Sequence, residues 1–146
     1  MINLVKSSRP AAARDTLVIL DDVARLRQLD LARNDRQYLL EQLEADPALA
    51  VCDISGRLVL VHLVKDASAH VQLEKARRAG DAMAARLNAA KRTEAQLIGL
   101  HAKGELTLAL AEGVSLGSYA FRKYKGDNKG APTLTKLSII ATEVSA

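Results

Sequence analysis

The stretch from Glu105 to Gly126, ELTLALAEGVSLGSYAFRKYKG, constrains the fold of this chain more than any other. Leu106, Leu110, Gly113, Gly117, Ala120/Phe121 and Tyr124 recur at steps of three or four. That spacing lays one apolar stripe along a helix of about five to six turns. A stripe of this kind has to be buried against another element. Gly113 and Gly117 stand one turn apart on it, although each glycine costs a helix interior roughly 1 kcal/mol relative to alanine. Close approach to a neighbouring layer offsets that cost, and a sheet is the expected neighbour. Arg122, Lys123 and Lys125 fall in the last turns, where the helix dipole favours positive charge.

The rest of the chain supplies that layer. Thr16 to Leu20 (TLVIL) reads as a short strand, and Asp21 or Asp22 then caps a helix carrying Val23, Leu26 and Leu29. A second helical piece starts at Asn34 or Asp35, with Leu39, Leu40 and Leu43 on its apolar side, and Pro47 ends it. Leu49 to Ile54 and Arg57 to Val64 flank Ser55-Gly56, the signature of an antiparallel hairpin. The rhythm then alternates. A long helix over Ser68 to Ala90 carries Ala76, Ala79/Gly80, Met83, Leu87 and Ala90. A strand over Gln96 to His101, the Glu105 helix, a loop Gly126 to Pro132 and a last strand Leu134 to Thr142 follow. Such β-α-β-α-β order implies parallel strands joined by right-handed crossovers. The expected fold is α/β and three-layered, with a mixed, mostly parallel sheet of about five or six strands covered by helices on both faces.

Composition narrows the class further. At 146 residues the chain fits a single domain, 1–146. Hydrophobic residues make up 49% but aromatics only 3%, so Ala, Leu, Val and Ile must build the core. The single cysteine, Cys52, cannot form an internal disulfide, which favours a reducing compartment. MINLVKSSRP lacks the apolar core of a signal peptide, and no run approaches the ~18 apolar residues of a membrane span. Cytoplasmic localisation and no membrane partner are the expectation.

Motifs for chemistry are scarce. His62, His70 and His101 are too scattered for a metal spacing, and neither paired cysteines, HExxH, GxSxG nor a P-loop occurs. His62 and His101 are expected as hydrogen-bonded strand residues, His70 as exposed, and Cys52 as a small buried apolar group. An open α/β sheet holds ligands outside the C-terminal ends of its parallel strands. Here those loops read Lys65-Asp66-Ala67-Ser68 and Ala102-Lys103-Gly104. Lys65, Asp66, Lys103 and Gly104 are therefore the candidates for a nucleotide or ADP-ribose site, although one glycine is thin support for a phosphate cradle.

Charge suggests another partner class. Residues 1–73 hold nine basic and ten acidic side chains, and residues 74–146 hold twelve and seven. The excess gathers at Lys75/Arg77/Arg78, at Lys91/Arg92 and between Arg122 and Lys129. Lys75, Arg77, Arg78, Lys91 and Arg92 are the candidates for nucleic-acid contacts. The competing reading is a solvated helix face, since no aromatics are interleaved for base stacking.

Ala111, Glu112, Gly113, Leu116, Gly117, Tyr119, Phe121, Tyr124 and Lys125 together form a pattern that resembles the final helix of the N-terminal domain of the leucyl aminopeptidase family. The order of elements, from NLVKSS through RLVLVHLVKD, ARRAGDAMAARL and QLIGLHA to LTKLSIIAT, is also similar. The resemblance implies a macro-domain-like, non-catalytic domain placed ahead of a catalytic domain, in a parent enzyme that is a hexamer and carries two divalent metals such as zinc or manganese. The family's Asn-Thr-Asp-Ala-Glu-Gly-Arg signature does not occur here, so no catalytic or metal residue carries over and no cofactor is expected in this chain. The implied partner is a C-terminal catalytic aminopeptidase domain. Binding of DNA, for which some members of the family are known, and a stand-alone macro-like ligand binder are the alternatives.

Overall fold

A computed structural model describes residues 2–7, 14–29, 31–65, 68–100, 104–125 and 133–140, with only the backbone described over 119–125. Six strands form one sheet: β1 (Asn3–Ser7), β2 (Thr16–Leu20), β3 (Ala50–Ile54), β4 (Arg57–Leu63), β5 (Glu94–Leu100) and β6 (Lys136–Ile140), in the order β1-β6-β5-β2-β4-β3. Every neighbouring pair is parallel except β3 with β4. Central β2 is buried along its whole length, which is why TLVIL reads as a continuous apolar run and not an alternating one.

Among the described residues, three α-helices and a 3-10 helix cover the sheet. Asp22 caps the 3-10 helix Val23–Gln28 by accepting from Ala24 N at 3.0 Å. It is followed by α1 (Arg33–Ala45), whose Leu39 and Leu43 pack with Leu26, Val18, Val59 and Val61 on one face of the sheet. The other face belongs to α2 (Ala69–Ala89) and α3 (Gly104–Lys125), which bury Met83, Leu87, Leu106, Leu110 and Val114 over Leu17, Ile19, Leu60 and Leu97. Ser55 (φ 54°) and Gly56 (φ 88°) both take left-handed backbone in the β3–β4 turn, as a two-residue type I′ hairpin demands. The ends of the last strand beyond Ile140, and the Gly126–Pro132 loop, lie outside the described residues.

The glycine-bearing helix departs from expectation in one respect. Gly113 and Gly117 are buried, as the stripe requires, but what they approach is α2 and not the sheet. A Cβ on Gly113 would collide with the backbone carbonyl of Arg77, and one on Gly117 would stand 2.5 Å from Asp81 Oδ1 and 2.9 Å from its Cα. Reciprocally, a Cβ on Gly80 would collide with the carbonyl of Leu110 and lie 2.8 Å from Val114 N. Contacts that advance together along both chains mean that α2 and α3 run parallel, as two successive crossovers on one face must. Ala76, Gly80 and Ala84 supply the small-residue stripe on α2, so the two backbones meet more closely than leucine-lined helices can.

A buried amide locks this pair to the sheet. Asn88 Nδ2 donates to Ser118 Oγ of α3 at 3.0 Å and to Ala84 O at 2.9 Å. Its Oδ1 accepts from Thr133 N at 2.8 Å and Leu134 N at 3.0 Å, just before β6. Both N–H donors and both lone pairs of the side-chain amide are therefore engaged.

Candidate functional site

The parallel strands β2, β4 and β5 point their C-terminal ends toward one side of the sheet, and β2 lies between the strands that α2 connects. This is the switch point at which an open α/β sheet presents a crevice. A cleft of about 450 Å³ stands there, bounded by Asp21, Asp22 and Val23 after β2, by Leu63, Val64 and Lys65 at the end of β4, and by Leu43 and Glu44 of α1. Val64 N donates to Leu20 O at 2.8 Å, which holds the two strand ends together at its floor.

Three carboxylates and one ammonium line this cleft. Asp21 Oδ1 is engaged by Arg25 Nε at 2.7 Å, and one oxygen of Asp22 accepts the helix-cap bond. Lys65 is exposed at the rim. The rim as described is acidic, which repels a pyrophosphate. Gly104, expected in the loop before the helix, is the first residue of α3, and a Cβ there would meet nothing within 4 Å. No close backbone approach therefore requires a glycine at that position. Of the four sequence candidates, Lys65 reaches the cleft and Gly104 marks the start of α3, while Asp66 and Lys103 lie outside the described residues.

Three of the five basic candidates form ion pairs. Arg77 Nε pairs with Glu112 Oε1 of α3 at 3.3 Å, and Arg78 Nε pairs with Glu74 Oε2 at 3.5 Å along α2. Arg92 Nη1 reaches Asp15 Oδ1 at 3.3 Å, beneath the N-terminal end of β2. Lys75 also has a partner, and Lys91 sits at the turn ending α2 with φ 61°. Lys75 and Lys91 are separated by 16 positions, or about 24 Å along a helix. The side chains of Arg122, Lys123 and Lys125 lie outside the described residues.

His62 is buried in β4, its Nδ1 bonded to Ala48 O at 2.8 Å, and His70 is exposed at the start of α2, both as expected. His101 lies outside the described residues. Cys52 is buried, its thiol pKa raised by desolvation and by the nearby charge of Asp35. Among the described residues no three His, Cys, Asp or Glu side chains converge as a metal site, and no helix is long and apolar enough to cross a membrane.

With that geometry in hand, comparison with solved structures is informative. The chain superposes on a tomato leucine aminopeptidase mutant with a TM-score of 0.62 at 16% identity, covering 97% of this chain and 32% of the plant enzyme. It also superposes on the macrodomain of Thermus aquaticus DarG with a TM-score of 0.51 at 12% identity, covering 97% of this chain and 98% of that one. The fold is macrodomain-like. At these identities the similarity concerns the fold alone, and the chain spans about a third of the length of the aminopeptidase. No family model matches the sequence, and no curated protein sequence matches it.

Two features of the fold were not visible in the sequence. Gln42 grips the edge strand β3, donating Nε2–H to Val51 O at 2.6 Å and accepting from Val51 N at 3.0 Å through Oε1. Asp15, nearly fully buried, accepts from Leu58 N at 2.8 Å as well as from Arg92. The Gln42 bonds span nine positions and the Asp15 bonds 43 and 77, and nothing in the spacing of a Gln or an Asp announces such a bond.

Proposed function

We propose that this chain is a non-catalytic, N-terminal-type domain of a leucyl aminopeptidase-like metallo-exopeptidase, contributing assembly or substrate access to a catalytic domain. One observation carries the reading: nearly the whole chain superposes on about a third of an aminopeptidase, and its Ala111–Lys125 helix also resembles that family in sequence. In such a parent the two divalent metals, and the hexameric assembly, belong with the catalytic domain. The test is an assay of the purified chain for release of leucine from leucyl amide with zinc or manganese, alone and mixed with a separately produced catalytic domain. Metal-dependent release by this chain alone overturns the proposal. The expected result is no release alone, with altered assembly or rate in the mixture.

A second reading is a stand-alone macro-like ligand binder, favoured by the superposition that covers 98% of the DarG macrodomain. The acidic cleft at the strand ends weighs against a phosphate-bearing ligand. Thermal stabilisation by ADP-ribose would support this reading, and it should depend on Lys65. DNA binding is the third class. The ion pairs of Arg77, Arg78 and Arg92 weigh against it, and it would need salt-dependent affinity that falls when Lys75, Arg77, Arg78, Lys91 and Arg92 are neutralised.

A further inference from the structure

Beyond the C-terminal turns of α1, whose Leu43 and Glu44 line that cleft, the edge strand β3 has no helix directly over its α2-facing side. Leu49, Val51 and Leu58 are only partly buried there and form an apolar floor. A groove of about 530 Å³ runs over them, bounded on the α2 side by Arg86 and on the α1 side by Tyr38 and Asp46, with Asp53 at its end.

Arg86 is exposed, and among the described residues its guanidinium has neither an ion pair nor a hydrogen bond. Asp46 and Asp53 each use one oxygen to close a local turn, accepting from Ala48 N at 3.0 Å and Gly56 N at 2.8 Å. Neither forms an ion pair with Arg86, so a cation and two anions border one apolar floor without neutralising one another. Gln42 excludes one class of occupant. Its amide already satisfies both outward-facing backbone groups of Val51, so an added strand cannot pair with β3 there.

We infer that this groove binds a small zwitterion with an apolar side chain, that is, a free apolar α-amino acid. Arg86 takes the carboxylate, for which a guanidinium fork is suited. Asp46 and Asp53 face the ammonium, and Leu49, Val51 and Leu58 receive the aliphatic side chain beside the Tyr38 ring. This site is separate from the cleft at the strand ends, and the inference holds whether or not the chain serves a catalytic partner.

An amide NMR titration of the folded chain with L-leucine tests it. Saturable shifts centred on Val51, Asp53 and Arg86 are expected, with a dissociation constant in the millimolar range suited to so open a site. Leucinamide, which lacks the carboxylate, and 4-methylpentanoate, which lacks the ammonium, should each bind about tenfold more weakly. Arg86→Gln should weaken L-leucine to a similar extent, and because Arg86 is exposed the variant's spectrum will confirm that it is folded. Asp53→Asn keeps the turn acceptor and should weaken L-leucine but not 4-methylpentanoate. Absence of saturable shifts at those residues, or equal binding by wild type and Arg86→Gln, overturns the inference.

Discussion

The backbone carbonyl of Arg77 on α2 occupies the space that a side chain on Gly113 of α3 would need. One turn further along both helices, Asp81 stands in the same relation to Gly117, and from the other side Gly80 meets Leu110 and Val114. Three glycines thus let two parallel helices share one face of the sheet as a single layer. That layer closes over the Leu17, Ile19, Leu60 and Leu97 face of the sheet.

Asn88 should be the most sensitive polar position in the core. Asn88→Ala removes the acceptor for Thr133 N and Leu134 N and strands Ser118, leaving buried donors unpaired. A loss of roughly 2–4 kcal/mol is expected, at about 1–3 kcal/mol for each group left unsatisfied. Urea denaturation measures it, and a loss below about 0.5 kcal/mol would contradict the described network.

Gln42→Ala should leave the monomer nearly as stable but open the β3 edge, because the Val51 N–H and C=O lose their partner. An exposed edge pairs with other chains. Light scattering or sedimentation at rising concentration should show self-association that wild type lacks; a strictly monomeric variant would speak against the clamp.

Cys52 should react slowly with thiol reagents. Its thiol is buried and its pKa is raised, first by desolvation and then by Asp35, so the thiolate fraction at neutral pH falls below that of a free cysteine. The folded form holds the proton more tightly than the unfolded chain. The associated stability is therefore complete below the ordinary thiol pKa and is lost as pH rises through the elevated one. Alkylation followed by mass spectrometry should be much faster in denaturant than in buffer at pH 8, and equal rates would contradict the burial.

Asp15→Ala removes a buried acceptor from Leu58 N and leaves the half-buried Arg92 without its carboxylate. About 2–3 kcal/mol of stability should be lost. The double variant with Arg92→Ala should lose less than the sum of the two single changes, since the residues touch.

Much of the architecture was legible in the sequence because hydrophobic period carries it. TLVIL, the Ser55-Gly56 hairpin and the two long helices all stand where their apolar spacing puts them. β1 was not legible as a strand: NLVKS is exposed over four of its five residues, so no buried face marks it, and its partner β6 lies some 130 positions away. The glycine notch was legible as a close approach but not as to its partner. Ala76, Gly80 and Ala84 form the matching stripe, and a stripe of small residues says how near a neighbour can come without saying which neighbour. At the candidate cleft, Lys65 was legible from strand order, whereas the Asp21, Asp22 and Glu44 rim depends on α1 folding back beside β4.

The most direct test of this packing is a pair of alanine substitutions compared by urea denaturation. Helix propensity alone makes Gly113→Ala, in the helix interior, favourable by up to about 1 kcal/mol, and leaves Gly104→Ala, at the first residue of α3, near neutral. The described contact predicts opposite outcomes: Gly104→Ala neutral or slightly stabilising, since its added methyl meets open space, and Gly113→Ala destabilised by roughly 2 kcal/mol or more through collision with Arg77. Equal stabilisation by the two substitutions would contradict the close approach of α2 and α3 on which the fold is built.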